Sequence, residues 1–598
     1  MFIKVSQSGG HRYARLVESF RNEDGQPRQR TLATLGRLSP GGDVDRLIGA
    51  LLQAQGRGAG GLDAPTGSTS ASAGELRFLP PRAVGDVWAL WQLWQSLELD
   101  GLALAWSRSR SGLDVLALLR TMVFNRLCDP TSKLGVLRWL QTVALPVGFG
   151  LDDEGVEHQH LLRAMDVLDE HAEAISERLA LLMRPLIDQD LSVVFYDLTT
   201  VRIHGEGSLP DDVRAFGLSK EGGVARQFML SLVQTADGLP IAHEVHPGNT
   251  AEAPTLLPMI RSLLARWPLK RVVLVADRGL LSLNNLRELD ALQTELDTAG
   301  RGVRLAYVLA VPAARYGEFK DELSALHAQH DSTQPWVAQM AWRRQDDSTD
   351  DKSPSTEYRL VVAHDPVAGA RRTQARRAQI KELVALGEQW GGRLDAQDAG
   401  DRQRGRPLSD SGAKARLYHA VRQAHLAHVI KVDLKSELFQ FTIDEARLQY
   451  LEHLDGKLLL VTNTDAPAVE VVERYKSLAD IERGFRALKS DIEIGPVYHR
   501  LPRRIRAHAL VCFLALVLHR VLRMRLKANQ RTESPRRLLE QLGRIQHQSA
   551  KTADGRVIQG ITALAPAQRE LFAAIGAKPP TPSTVTLSTA QTTEDAAL

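Results

Sequence analysis

The chain has 598 residues, 43% hydrophobic and 24% charged, ordinary globular values that leave room for large cores and roughly three to five domains at about 150 residues each. A formal charge of only +4, with a pI near 8.9, permits a polyanionic partner without demanding one. Two distant cysteines, Cys128 and Cys512, argue against a disulfide framework or thiolate metal site, the start Met1-Phe-Ile-Lys-Val lacks a signal-peptide pattern, and the longest apolar run (509–518) is far short of a membrane span.

Residues 2–38 alternate in β fashion, Phe2-Ile-Lys-Val and then His11 to Phe20, with a turn at Asp24-Gly25 and a return strand over 28–35, so residues 1–50 are expected to be a small β module. Its arginines face either DNA or solvent. A Gly, Ala, Ser and Thr-rich flexible linker follows at 51–78. Over 79–190 the apolar spacing is helical, with Val87, Leu90, Leu93, Trp94 and Leu97 on one face and Asp129-Pro130-Thr131 opening a further helix. An all-α domain is expected there, with DNA-end binding as a candidate role and the tryptophans as core.

From Leu191 the texture becomes β. Ser192-Val-Val-Phe-Tyr-Asp197 is a buried-strand run ending in an acid; Gln227–Thr235 and Leu239–His246 read as two strands joined at Asp237-Gly238, and Ala253–Arg266 as a helix. Arg271-Val-Val-Leu-Val-Ala-Asp277 repeats the first device, followed by a helix from about Ser282 and a strand over 302–311. This order predicts a mixed α/β sheet over 191–315, in which ligands sit at the carboxyl ends of the strands and Asp197 and Asp277 become neighbours. Residues 316–465 read as an inserted, partly β subdomain, 466–560 as the basic helical end of the core, and 561–598 as a disordered tail rich in Thr, Ser, Pro and Ala. Between Arg500 and Lys551 stand 13 Lys or Arg against two Glu and no Asp, the clearest charge asymmetry in the chain.

Tyr475 to Lys489, read as one helix, has an apolar stripe of Ile481, Phe485, Leu488 and Ile492 and beside it Tyr475, Glu482 and Lys489 in line at i, i+7 and i+14. Alone, it reads first as a surface helix in which Glu482 pairs with Arg486. Two strand-end aspartates with a glutamate on a helix beside them change that reading, because such a cluster of negative charge is tolerable only with hard cations in it. Oxygen ligands select Mg²⁺ or Mn²⁺, and two ions about 3.5–4 Å apart activate an attacking oxygen and stabilise the leaving one in phosphodiester displacement.

These segments carry a resemblance. Tyr196-Asp197-Leu-Thr-Thr, Gly217-Leu-Ser-Lys, Pro247-Gly-Asn249-Thr250, Val275-Ala-Asp277-Arg-Gly279 and Tyr475 through Lys489 to Pro496-Val-Tyr-His-Arg500 are similar, in order and spacing, to the Asp-Asp-Glu transposases of bacterial insertion sequences. More narrowly the chain resembles the branch with a Tyr-Arg-Glu-Lys signature, in the insertion-sequence-four superfamily, from the β module to about residue 550. The resemblance implies a ribonuclease-H-like fold with a β insertion ahead of the catalytic helix. It implies Asp197, Asp277 and Glu482 as the catalytic, metal-binding triad for two Mg²⁺ (or Mn²⁺) ions, and Tyr475 and Lys489 as contacts to transposon-end DNA. The signature arginine is replaced by Leu478, so a phosphate contact is lost or supplied elsewhere, with Arg486 the candidate.

The function expected is a metal-dependent DNA transposase that cleaves at the ends of its element and joins the 3′-hydroxyls to target DNA. The alternatives are a nuclease that only hydrolyses and a non-catalytic DNA-binding relative. Double-stranded DNA (ends and target) is the expected partner, with a homodimer in the synaptic complex, no membrane, and a cytoplasmic location, nucleoid-associated when bound. Three further sets read as ordinary surface: His243 and His246, on opposite faces of a strand; Ser219, Lys220 and Arg226, as loop residues or phosphate contacts; and Arg371, Arg372, Arg376 and Arg377, as a solvated helix face.

Overall fold

The computed structural model describes residues 2–8, 11–21, 27–38, 76–107, 113–151, 155–187, 194–205, 209, 211–220, 222–267, 269–276, 283–343, 357–400, 407–552 and 555–584, without the side chains of 2–38, 194, 283, 284, 357 and 479–483. It divides into two compact units, Met1–Glu75 and Leu76–Leu598. In the first, β1 (Phe2–Ser8), β2 (His11–Arg21) and β3 (Pro27–Leu38) form an antiparallel sheet in that order. The register of β2 on β3 shifts between Ala14 and Arg15 and again between Leu16 and Val17, irregularities of the kind that bend and twist a strand.

The second unit begins with two short strands, β4 (Arg77–Phe78) and β5 (Arg82–Ala83), then α1 (Gly85–Ser96), α2 (Val115–Cys128), α3 (Lys133–Leu140), α4 (His158–Glu170) and α5 (Ala172–Met183). Next come β6 (Val194–Arg202), β7 (Ala215–Leu218), β8 (Val224–Thr235), β9 (Pro240–Pro247), α6 (Leu256–Arg266), β10 (Arg271–Ala276), α7 (Leu283–Thr298) and β11 (Arg304–Ala310). The following stretch holds α8 (Lys320–Gln329), β12 (Trp336–Arg343), β13 (Glu357–His364), α9 (Pro366–Asp398), α10 (Asp410–Gln423), β14 (Ile430–Val432), β15 (Phe441–Ile443), α11 (Glu445–Leu454) and β16 (Lys457–Thr462). The chain closes with α12 (Ala468–Lys476), α13 (Ala479–Ser490), α14 (Pro502–Ala528), α15 (Pro535–Leu542), β17 (Gln546–Lys551), β18 (Val557–Ile561) and α16 (Pro566–Ala574).

A mixed nine-stranded sheet organises this unit, in the order β12-β13-β16-β11-β10-β6-β8-β7, with β9 also on β8. The central pairs β6/β10 and β10/β11 are parallel, and the flanking pairs are antiparallel. Val272 to Ala276 are fully buried, as a parallel strand covered by helices on both faces must be. The Asp237-Gly238 turn joins β8 to β9, with Gly238 at φ +78°, where glycine meets no Cβ penalty.

Several elements differ from their sequence reading. Strands β12, β13 and β16 belong to the main sheet rather than to an insertion, because Leu360 and Val361 pair with Val461 and Leu460, and β16 continues onto β11. Only the helical remainder between β13 and β16 has a small core of its own, around Ile380, Leu417, Val421, Val429 and Ile430. There Arg376 holds Asp455 through two hydrogen bonds of 2.6 and 2.7 Å and Arg377 holds Glu452 likewise, so these arginines brace α9 against α11 and its exit instead of facing water.

The helices over 85–183 likewise share one core with α14, whose residues from Ile505 to Leu522 are buried apart from the half-buried Arg506. That apolar helix is the one described segment long and apolar enough to cross a membrane, and 94% of its apolar window is buried inside the fold. Trp88, Trp91 and Trp94 are buried there, as expected of core. The basic run is partly answered: Arg504 and Arg506 make paired hydrogen bonds to Asp166 and Asp169 of α4. Residues 561–584 are ordered rather than a tail, because Leu571, Phe572 and Ile575 bury one face of α16 and the Trp88 indole donates to the Lys578 carbonyl at 2.6 Å. Positions 585–598 lie outside the described residues.

Candidate active site on the central strand

Asp197 is half-buried in a strand whose neighbours Phe195, Tyr196 and Leu198 are at most 1% exposed. The parallel register pairs Leu274 with Val194, Val275 with Phe195 and Ala276 with Tyr196. The last of these pairs is formed by the residues immediately preceding Asp277 and Asp197. Asp277 itself lies outside the described residues.

Two arms reach Asp197, and the neighbouring motif residues explain both. The buried Tyr196 hydroxyl donates to Thr255 Oγ1 at 2.6 Å, and Thr255 donates to the Glu252 carbonyl at 2.6 Å, which fixes the turn carrying Glu252 beside β6. Burial pushes the Tyr196 phenol well above its ordinary pKa, so it stays a donor. On the other side Thr200 Oγ1 accepts the Lys220 N–H at 3.1 Å, holding the loop after β7. Lys220 Nζ then lies 3.5 Å from Asp197 Oδ1 and 3.0 Å from Glu252 Oε1, and donates to the Leu198 carbonyl at 2.6 Å. Burial works against the Lys220 charge, but the Asp197 and Glu252 carboxylates outweigh it and hold the ammonium above its ordinary value.

The arms cross at two glycines. A Cβ on Gly217 would sit 2.2 Å from the Gly248 carbonyl oxygen, and one on Gly248 would sit 2.0 Å from the Gln227 oxygen, so the Gly217-Leu-Ser-Lys and Pro247-Gly-Asn segments need glycine for close backbone approach. Lys220 and Glu252 were not singled out as site residues from sequence. The available signals were the placement of Lys220 inside the first of these segments and of Glu252 just after the second.

The helix expected over 475–489 is split. Helix α12 ends at Lys476, and Leu478 closes a tighter turn through its N–H to the Tyr475 carbonyl at 3.0 Å, while the Ser477 hydroxyl bonds the Arg474 carbonyl. Tyr475 therefore stands on one helix and Lys489 on the next. Tyr475 and Leu478 pack against the main core, Lys489 is half-buried and Arg486 is exposed. The Glu482 side chain lies outside the described residues, but its helix packs on β6 and buries Phe485, Ala487 and Leu488. It also approaches β8 closely at Gly484, where a Cβ would fall 2.4 Å from Gln234 Nε2. Gln234 is the register partner of Phe195, and its fully buried carboxamide has no hydrogen-bond partner among the described residues.

His243 and His246 differ from the surface reading. They do face opposite ways, but His246 bonds Ser231 Oγ at 2.9 Å and His243 stacks on Phe513 with ring centroids 4.3 Å apart. Burial, with Arg266 nearby, brings His243 down to about 4, so neither is a solvated ring. Arg226 is also tied in, donating to the Gly205 carbonyl at 2.7 Å.

The donors gathered around Asp197, within β6, are two carboxylates and a carbonyl oxygen with one ammonium among them. That chemistry fits a hard divalent cation. Among the described residues no group of three or more His, Cys, Asp or Glu side chains could hold a metal ion; two of the three acids expected to do so are not among the described side chains. The family comparison identifies the class: residues 188–518, more than half of the chain, match the model described as Transposase DDE domain, and the chain belongs to that family of metal-dependent DNA-processing enzymes. Residues 3–64 match the model for the IS1634 family transposase, N-terminal domain, which makes this a bacterial insertion-sequence transposase of the DDE class. No curated protein matches the chain.

Proposed function

We propose that the protein cleaves DNA at the ends of its insertion sequence and joins the freed 3′-hydroxyls to target DNA, in a ribonuclease-H-like core with Asp197, Asp277 and Glu482 as its triad. The observation that carries this reading is the parallel register of β6 and β10, which sets Tyr196 beside Ala276 one residue ahead of each aspartate. When bound, Mg²⁺ or Mn²⁺, as a pair of ions, supplies activation of the attacking oxygen and charge stabilisation of the leaving one. The chain's own residues prepare that chemistry. Asp197 is held by the Leu198 N–H at 2.7 Å, so its carboxylate has one orientation. Glu252 and Lys220 keep the surroundings of Asp197 charged on both signs, and Lys220 is a donor for a phosphate oxygen once a metal relieves it of Asp197.

Tyr475, Arg486 and Lys489 are assigned to the DNA backbone, where such contacts position a strand without reading its sequence. Two element ends processed together imply a homodimer in the synaptic complex. The β module of the first unit and the helices over 79–190 are assigned to holding the end. Purified protein with its terminal inverted repeats, a target plasmid and Mg²⁺ tests the reading. Cleaved ends joined to the plasmid are expected; ends that are cut but never joined make it a hydrolase, and retention of binding without any cutting makes it a DNA-binding relative.

A further inference from the structure

Past the end of α13 the chain runs through Glu493–Arg500 into α14, and this turn walls a cleft of about 740 Å³. The facing wall comes from Arg126 of α2, Pro130–Leu134 at the start of α3, and His158 of α4. Arg126 and Lys133 are each only 5% exposed. Arg126 Nη1 donates to backbone carbonyls, Glu493 at 3.1 Å and Ile492 at 3.5 Å, and its Nε is buried without a partner. Lys133 has no hydrogen bond or ion pair among the described residues. His508, 6% exposed, gives Nε2 to the Ile494 carbonyl at 2.9 Å and leaves Nδ1 buried and unpartnered.

The acid lining this space, among the described residues, is the exposed Glu493; Arg504 is already paired with Asp166. Two helix N-termini open onto the cleft as well: α3, capped by Ser132 through Gly135 N–H at 3.1 Å, and α14, whose N-cap position is Leu501, with no side chain to cap it. The crowding of positive groups is visible in their protonation. Burial, then Arg126, lowers Lys133 to about 7, and burial with Lys133 close by holds His499 at about 3. Buried cations without an ion pair are costly, and a site of this kind is stabilised when an anion enters it.

Its place relative to Asp197 indicates which anion. Ile203, just past the end of β6, bridges Val497, the His204 N–H donates to the Val497 carbonyl at 2.9 Å, and the His204 ring stacks on the exposed Tyr498 with centroids 5.0 Å apart. From Asp197 to Ile203 the strand advances roughly 20 Å at about 3.3 Å per residue. Duplex DNA lying with its axis along β6 covers that distance in about six base-pair steps.

We propose that this cleft seats a phosphodiester of the DNA strand about six nucleotides from the phosphate held at Asp197, with Lys133 and Arg126 as its cationic floor. The inference rests on the transposase reading and adds a second fixed point along the strand.

Lys133→Met and Lys133→Gln in the full chain test it, with a duplex carrying the element end. In a salt series, both variants are expected to lower the slope of log affinity against log salt by about one relative to the parent. In a scan of single methylphosphonate substitutions, the parent is expected to lose affinity at a position about six nucleotides from the cleaved bond, and Lys133→Met to be indifferent there alone. Thermal melting of Lys133→Met is expected at or above the parent, because an uncompensated buried charge has gone. An unchanged slope, no sensitive position in the scan, or a variant that melts well below the parent would overturn the proposal. So would inorganic phosphate that raises the parent's melting temperature but not the variant's while DNA affinity stays equal, since the cleft would then hold a free anion. Cleavage by the parent, and its loss in Asp197→Ala with the salt slope kept, separates failure of the seat from failure of the transposase reading.

Discussion

Along β6 the molecule treats charge in two ways. At Asp197 the fold provides its own counter-ion, with the Lys220 ammonium 3.5 Å from Asp197 Oδ1 and 3.0 Å from Glu252 Oε1. Six residues on, Ile203 bridges Val497 of the cleft wall, and in that cleft Arg126 and Lys133 are buried with no ion pair among the described residues, the exposed Glu493 being the acid that lines it. The first arrangement is a balanced site that takes a metal by exchanging one cation for another. The second is an unbalanced site, complete only when something negative arrives. A polynucleotide whose backbone is negative at every step serves both, since the metal it needs goes to one point and its phosphate to the other.

The comparison breaks most sharply at Asp197. Asp197→Ala is expected to lower cleavage of end DNA on the order of 10³-fold or more while leaving binding intact, read by gel assay and anisotropy side by side. Next in size is the effect of the unbalanced lysine on stability. Lys133 sits at about 7 when folded, below its ordinary 10.5, because of burial and Arg126, with Cys512 and the depressed His499 and His508 around it. Between these values the unfolded chain holds a proton that the folded chain has lost, so stability should rise with pH from about 7 upward; below about 7 both forms are charged and the full penalty, a few kcal/mol, remains. Urea midpoints from pH 7 to 8.5 should climb for the parent and climb less for Lys133→Met.

A smaller effect probes how the third acid's helix is seated. Gly484→Ala pushes a methyl to 2.4 Å from Gln234 Nε2 of β8 and should destabilise by about 1–3 kcal/mol, with cleavage reduced because α13 is lifted from the sheet. Gln234→Ala in the same chain should restore most of that stability, and the four-way melt comparison checks the coupling. The smallest change concerns the balanced site: Lys220→Met removes the competing cation, so half-saturating Mg²⁺ in the cleavage assay should fall by up to about fivefold, an exposed-pair magnitude.

What the sequence disclosed followed the range of the interactions involved. The runs leading to Asp197 and Asp277 are local patterns and strands form on both, but β6 continues past Asp197 to Arg202, so that acid stands within its strand instead of at its end. The Asp237-Gly238 turn was legible for the same reason. The sheet membership of β12, β13 and β16 was not, because β16 pairs with β11 across about 150 residues of chain and nothing in Lys457–Thr462 names its partner. The break after Lys476 contains neither Gly nor Pro, so periodicity ran through it. Lys220 and Glu252 gain meaning only from Thr200 and Thr255, which bring two separate loops to one strand. The tail reading followed composition and passed over Leu571, Phe572 and Ile575, which bury a helix face.

The central claim is that Asp197, Asp277 and Glu482, from two strands and a helix, meet around the same metal. Replacing Mg²⁺ by Fe²⁺ and adding ascorbate and peroxide makes hydroxyl radicals at the bound ion, which cut the nearby backbone. Mapping the fragments should give cuts beside residues 197, 277 and 482 together, all lost in Asp197→Ala. Cuts beside 197 with none near 482, or cuts that persist in the variant, would contradict the account.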